Sequence, residues 1–181
     1  MYNELINMLK LKGVKFEKGL SEEEIIRITQ EYSIEFPEEL REFYMTAVPV
    51  SRGFYNWRNF DPKNIQYIKA AIYRPINNIY ELANEVYWCD EWGNEPSEEH
   101  KRVEVIRELL KKAPKLIPIY AHRYMPEMNV ENAPIFSIHD TDIICYGENL
   151  FSYFEIEFGE KKQIDIDYNI ITYIPVWIDF L

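Results

Sequence analysis

LIPIYAHRYMPEMNVENAPIFSIHDTDIICYG (residues 116–147) is where the chain changes its period. LIPIY is a short apolar run. APIFSIH and TDIICYG alternate or run apolar, with Pro and Asp-Thr-Asp between them. Such runs, bounded by turn residues, read as buried strands joined by short turns. Upstream of Leu116 the apolar residues recur at helical spacing. In MYNELINMLKLKG, Leu5, Ile6, Met8 and Leu9 share a face and Gly13 ends the segment. In LSEEEII, Ser21 with Glu24 three residues on forms a capping box, and Leu20 with Ile25 a hydrophobic staple. Ile25, Ile28 and Tyr32 continue that face. FPEELREFYMTAV opens on Pro37, which suits a first helical turn. Glu38 and Glu39 sit where the helix dipole favours anions, and Leu40, Phe43, Tyr44 and Ala47 follow the period.

Further helices are expected from Asp61-Pro62, stopping at Pro75, and from a cap at Ser97 to a stop at Pro114. Residues 76–93 fit helix or strand, with helix favoured and fraying at Trp88. Residues 50–60 read as a loop carrying Phe54, Trp57 and Phe60. After the strands, Leu150, Tyr153, Phe154 and Phe158 return to helical spacing. IPVWIDFL ends the chain on an apolar segment expected to dock. Helices first and strands later predict an α+β fold. The expectation is a single domain over 1–181, with N-terminal helices packed on a mostly antiparallel sheet formed largely by the C-terminal half.

The 181 residues can bury a core without staples. Ten Phe, 14 Tyr and 4 Trp argue against disorder. Lys and Arg number 20 against 31 Asp and Glu, a net charge of −11. That charge disfavours nucleic acid and anionic membranes and suits a basic protein partner or plain solubility. Cys89 and Cys145 form no CxxC and no disulfide framework. The N-terminus has no basic-then-apolar leader, and no apolar run is long enough to span a bilayer. The expected location is the cytoplasm.

GxGxxG, the P-loop, HExxH and GxSxG are all absent. His122, Arg123, Tyr124, His139, Asp140, Asp142 and Cys145 form the densest polar cluster. In an extended stretch only alternate side chains share a face, and no pair has helical i, i+4 spacing, so no metal and no cofactor are expected. His122-Arg123-Tyr124 follows a strand, where binding loops are often placed. The competing reading pairs Arg123 with an acid and packs Tyr124. Residues 90–99 are acidic, with no Lys or Arg. Trp88 and Trp92 beside Asp90 and Glu91 have the composition of an interface, or of an aromatic tucked behind a helix end.

Residues 20–49, LSEEEIIRITQEYSIEFPEELREFYMTAVP, together with LIPIY and PIFSIHDTDIICYGENLFSYF, resemble the SUKH superfamily. The pattern is a capped helix, a break, a Pro-led helix with an aromatic face (Ile25, Ile28, Phe36, Pro37, Leu40, Phe43), then a sheet core and a helix. GFYNWRNF and AHRYMPE are similar to a bacterial subgroup. The resemblance implies an α+β, non-enzymatic binding domain. SUKH proteins include bacterial immunity proteins that neutralise cognate toxins, many of them nucleases, and fungal regulators of cell-wall glucan synthesis. This chain departs from the commoner subgroup in carrying His122-Arg123-Tyr124 where a Gly-rich loop is expected.

Three functions follow as expectations. The favoured one is an immunity protein that occludes a basic cognate toxin, with no catalytic residues and with Arg58, Trp88, Asp90, Glu91, Trp92, His122, Arg123 and Tyr124 as interface candidates. The second is a regulatory interaction module. The third is a hydrolase using His122, His139 and Asp142.

Overall fold

The computed structural model describes residues 2–181. The fold is α+β, with helices gathered in the N-terminal half and a four-stranded antiparallel sheet in the C-terminal half. Helix α1 (Tyr2–Leu11) buries Leu5, Ile6 and Leu9. Helix α2 (Glu22–Tyr32) begins at the expected capping box: the Ser21 hydroxyl accepts from the Glu24 N–H, and the Glu24 carboxylate accepts from the Ser21 N–H. It ends at Ser33, whose φ of 52° is left-handed. Helix α3 (Glu38–Thr46) starts one residue after Pro37, which takes the cap position instead of the first turn. No side chain of its own caps it; Asn129 Oδ1 accepts the Glu38 N–H at 2.8 Å from across the molecule.

Two short strands escaped the sequence reading. β1 (Phe16–Lys18) and β2 (Ala47–Pro49) pair antiparallel and tie the end of α3 back to the segment before α2. Three residues are too few to show a period.

Helix α4 (Pro62–Glu81) corrects another expectation. It runs through Pro75 instead of stopping there. A proline inside a helix removes one hydrogen bond and costs roughly 3 kcal/mol. Here Ile68, Ala71, Ile72, Pro75 and Ile79 are all buried, so the proline continues the apolar face. That burial outweighs the lost bond. The helix expected over 76–93 is therefore the end of α4 followed by turns and a 3-10 turn at Asp90–Trp92. Helix α5 (Glu99–Leu110) has Glu98, not Ser97, at its cap position, without a side-chain cap bond.

Strands β3 (Leu116–Tyr120), β4 (Arg123–Pro126), β5 (Phe136–His139) and β6 (Asp142–Cys145) pair in that order, all antiparallel. β4 occupies the stretch read as a binding loop. Gly53 makes the approach of the 50–60 loop to β3 possible: a Cβ there would lie 2.4 Å from the Tyr120 ring, and its φ is 102°. Phe54 forms a bridge with Tyr120. Helix α6 (Leu150–Glu157) is capped by Asn149, whose side-chain Oδ1 accepts from Ser152 N–H at 2.9 Å.

The sheet has a core on each face. Ile117, Ile119 and Met125 point into the first, with α1, α2, α3 and α6. Leu116, Tyr124, Phe136, Ile138 and Ile143 point into the second, with α5, the end of α4 and the C-terminal segment. The terminal segment docks as expected: Trp177 is buried and its indole N–H donates to the Pro114 carbonyl at 2.7 Å. Among the described residues no helix is long and apolar enough to cross a membrane.

Candidate functional site

Four of the eight interface candidates share one turn. After α4, Ala83 and Val86 are buried in the second core and anchor the chain. The Trp88 indole N–H donates to the Gly93 carbonyl at 2.8 Å, which closes the loop on itself. The Trp92 indole N–H donates to Asp179 at 3.1 Å, and its ring meets Phe180 edge-on at 5.2 Å. Trp88 and Trp92 meet edge-to-face at 5.4 Å. Both indoles are thus half-buried and fixed, while Asp90 and Glu91 are exposed beside them. The Cys89 thiol donates to Glu91 at 2.9 Å. That bond, with the Glu91 backbone N–H, holds the Glu91 carboxyl below the usual range.

Trp88, Asp90, Glu85 and Glu95 line an open recess of about 760 Å³. Arg102 lines it too, but its guanidinium is committed to Glu95 at 2.6 Å and to the Ala83 and Val86 carbonyls. Tyr87, at 89% exposure on this turn, was missed by the sequence reading. Its placement directly before Trp88 in an acidic stretch was the available signal.

The other four candidates do not join this turn. Arg58 bonds Glu24 at 2.5 Å, Glu17 at 3.2 Å, and the carbonyls of Lys18 and Gly19. It locks β1 to the capping box of α2, and its hydrogen bond to Glu24 holds that carboxyl low. His122-Arg123-Tyr124 is split by the alternation of β4. Arg123 faces the first core side, bonding Glu157 at 3.1 Å and Ser137 at 3.0 Å above the Tyr146 ring. Tyr124 points to the opposite face and is fully buried, so it is a core residue and not a surface contact. The structural pairing weighed for Arg123 and the packing weighed for Tyr124 are what the fold uses.

His122 is half-buried, with its ring 6.3 Å from that of His139. Burial, then Arg123 and His139, hold its pKa below the ordinary histidine value. His139 Nδ1 lies 3.4 Å from the Asp140 carboxylate, and Asp142 is its cross-strand partner in the β5–β6 hairpin. Asp140 sits in the β5–β6 turn with φ of 55° and accepts from Asn78 at 2.9 Å. Among the described residues no group of three or more His, Cys, Asp or Glu is placed to hold a metal ion.

One concavity was not foreseen. Between α3 and the 125–131 segment lies a cleft of about 400 Å³. Glu38, Glu39, Glu42 and Glu131 line it together with Tyr2, Met125 and Met128. The Asn129 bond to Glu38 N–H holds the two walls together, and so does the bond from Glu35 N–H to Glu127. Burial raises the Glu39 carboxyl, the Leu150 N–H at 3.4 Å partly offsets this, and Glu42 raises it again. Tyr2 is raised by burial, then by Glu39, Glu42 and Glu38. Among the described residues none of these four glutamates is in an ion pair with Lys, Arg or His.

Comparison with protein-family models, with curated proteins and with solved structures gives no match for this chain.

Proposed function

We propose that the chain is a non-enzymatic, cytoplasmic binding protein for a basic protein, with a cognate toxin of the kind that SUKH immunity proteins neutralise as that partner. The turn at 87–92 carries this reading: fixed indoles and the exposed Tyr87 supply apolar contact beside Asp90 and Glu91. Aromatic anchors rimmed by charge are the usual composition of a recognition patch. The net charge of −11 acts at longer range, drawing in a basic surface and raising the association rate. A nuclease must present cations to phosphate, so an acidic protein competes for the same surface.

The test is affinity capture on immobilised protein at low and then moderate salt, with wild type and an Asp90→Lys/Glu91→Lys variant side by side. The captured protein is then expressed with and without the chain. The reading requires a basic protein that is released by salt, is lost from the variant, and is toxic unless the chain is co-expressed. A captured partner held equally by the variant, or one whose expression harms nothing, overturns it.

A further inference from the structure

We propose that the cleft between α3 and the 125–131 segment receives one lysine or arginine side chain of the basic partner, its methylene stem lying on Met125 and Met128 and its head among Glu38, Glu39, Glu42 and Glu131. This rests on the reading of a basic protein partner and names a second contact for it.

The cleft has the two chemistries such a side chain needs. Long basic side chains bury the stem against apolar surface and keep the charged end near water or counter-charge. Met128 is half-buried and Met125 buried, so the inner wall is thioether and hydrocarbon. Methionine adapts to stems of different shape. Glu38, Glu42 and Glu131 are exposed and Glu39 half-buried, so the carboxylates grade from the mouth inward. Among the described residues no lysine, arginine or histidine lines the cleft. Glu38, Glu39 and Glu42 occupy adjacent positions on one side of α3, where like charges three and four residues apart repel. A cation entering there relieves repulsion already built into the free protein. The walls are preset by the Asn129 and Glu127 bonds across them, so little ordering cost falls on binding. An aliphatic side chain would leave the carboxylates unanswered, and an anion would add to the repulsion.

The experiment is an NMR titration of the full chain, with methionine methyls and backbone amides labelled, at low ionic strength. The probes are acetyl-Gly-Lys-Gly-amide, acetyl-Gly-Arg-Gly-amide, the same peptide with norleucine, and magnesium chloride. The Lys and Arg peptides should move the Met125 and Met128 methyl signals saturably. The norleucine peptide should bind at least about fivefold more weakly, the loss that goes with removing partly shielded ion pairs. Glu39→Gln/Glu42→Gln should weaken the Lys peptide by a similar factor. Glu131→Gln, on the opposite wall, gives the same test without touching α3. Equal binding of norleucine, saturable magnesium binding at the same signals, unchanged affinity in both variants, or no movement of the methyls each overturns the proposal. The peptides need no partner protein. A silent cleft beside an intact capture removes this contact alone, and a failed capture beside a responsive cleft removes the wider reading alone.

Discussion

Two glutamates show how one residue type is driven in opposite directions. Glu148 is 3% exposed. Burial alone would raise its carboxyl, but Lys161 at 2.6 Å, the Ser152 hydroxyl and the Asp167 N–H at 2.8 Å overcome this and pull it down to about 2. Its folded value lies below its unfolded one, so it contributes stability above about pH 4.5, and this is lost as pH falls toward about 2. Glu148→Gln should cost about 3 kcal/mol at pH 7, in the range for breaking a buried ion pair. Urea denaturation at pH 7 and pH 3 checks it: the gap to wild type should narrow at the lower pH. Glu39 runs the other way. Its folded carboxyl holds its proton to higher pH than the unfolded one, so stability falls as pH rises from the ordinary glutamate range through the folded value. Glu39→Gln keeps an oxygen for the Leu150 N–H and removes the charge. Its melting midpoint at pH 7 should rise, by about 2–4 °C for each kcal/mol recovered, and match wild type near pH 4. An unchanged midpoint at pH 7 would show that Glu39 carries no electrostatic penalty.

Elements were legible where a local rule acts alone. Ser21 and Glu24 announce α2 because a capping box needs only neighbouring residues. Ser21→Ala should cost about 1 kcal/mol in chemical denaturation. Ser33 closes the same helix in a left-handed conformation that glycine adopts without penalty. Ser33→Gly should therefore stabilise by about 0.5–1 kcal/mol, and a loss in the same assay would mean that its backbone is not strained. β4 was hidden for a different reason. A strand buried on both faces shows no hydropathic alternation, and Arg-Tyr-Met-Pro reads as a loop until both partners are known. Pro75 misled because a breaker's cost is local while its burial is tertiary. Trp88, Asp90, Glu91 and Trp92 were readable as a group because they are nearly contiguous, but the turn that holds them was not, because the apolar spacing of 76–93 favours a helix. The cleft was not, because Glu38 and Asn129 lie 91 residues apart and only folding makes them neighbours.

At the scale of the whole molecule, helices before strands sufficed for the α+β fold, and the unequal count of charges pointed to the sign of the surface. The net charge of −11 makes a kinetic claim. Association with a basic partner should slow about tenfold or more from low to high ionic strength while dissociation changes less, as stopped-flow mixing would show. A salt-independent rate would mean that the charge serves solubility alone. The sheet also divides the interior, with Trp57 fully buried on one side and Trp177 fully buried on the other. Each side therefore carries its own emitter. With Trp88 and Trp92 replaced by phenylalanine, single removals of Trp57 or Trp177 leave a fluorescence signal from one half at a time. Because both halves share the same strands, in each variant the melting curve of the remaining tryptophan should superimpose on that variant's own far-ultraviolet circular-dichroism curve, so the light from either side should report the fate of the whole.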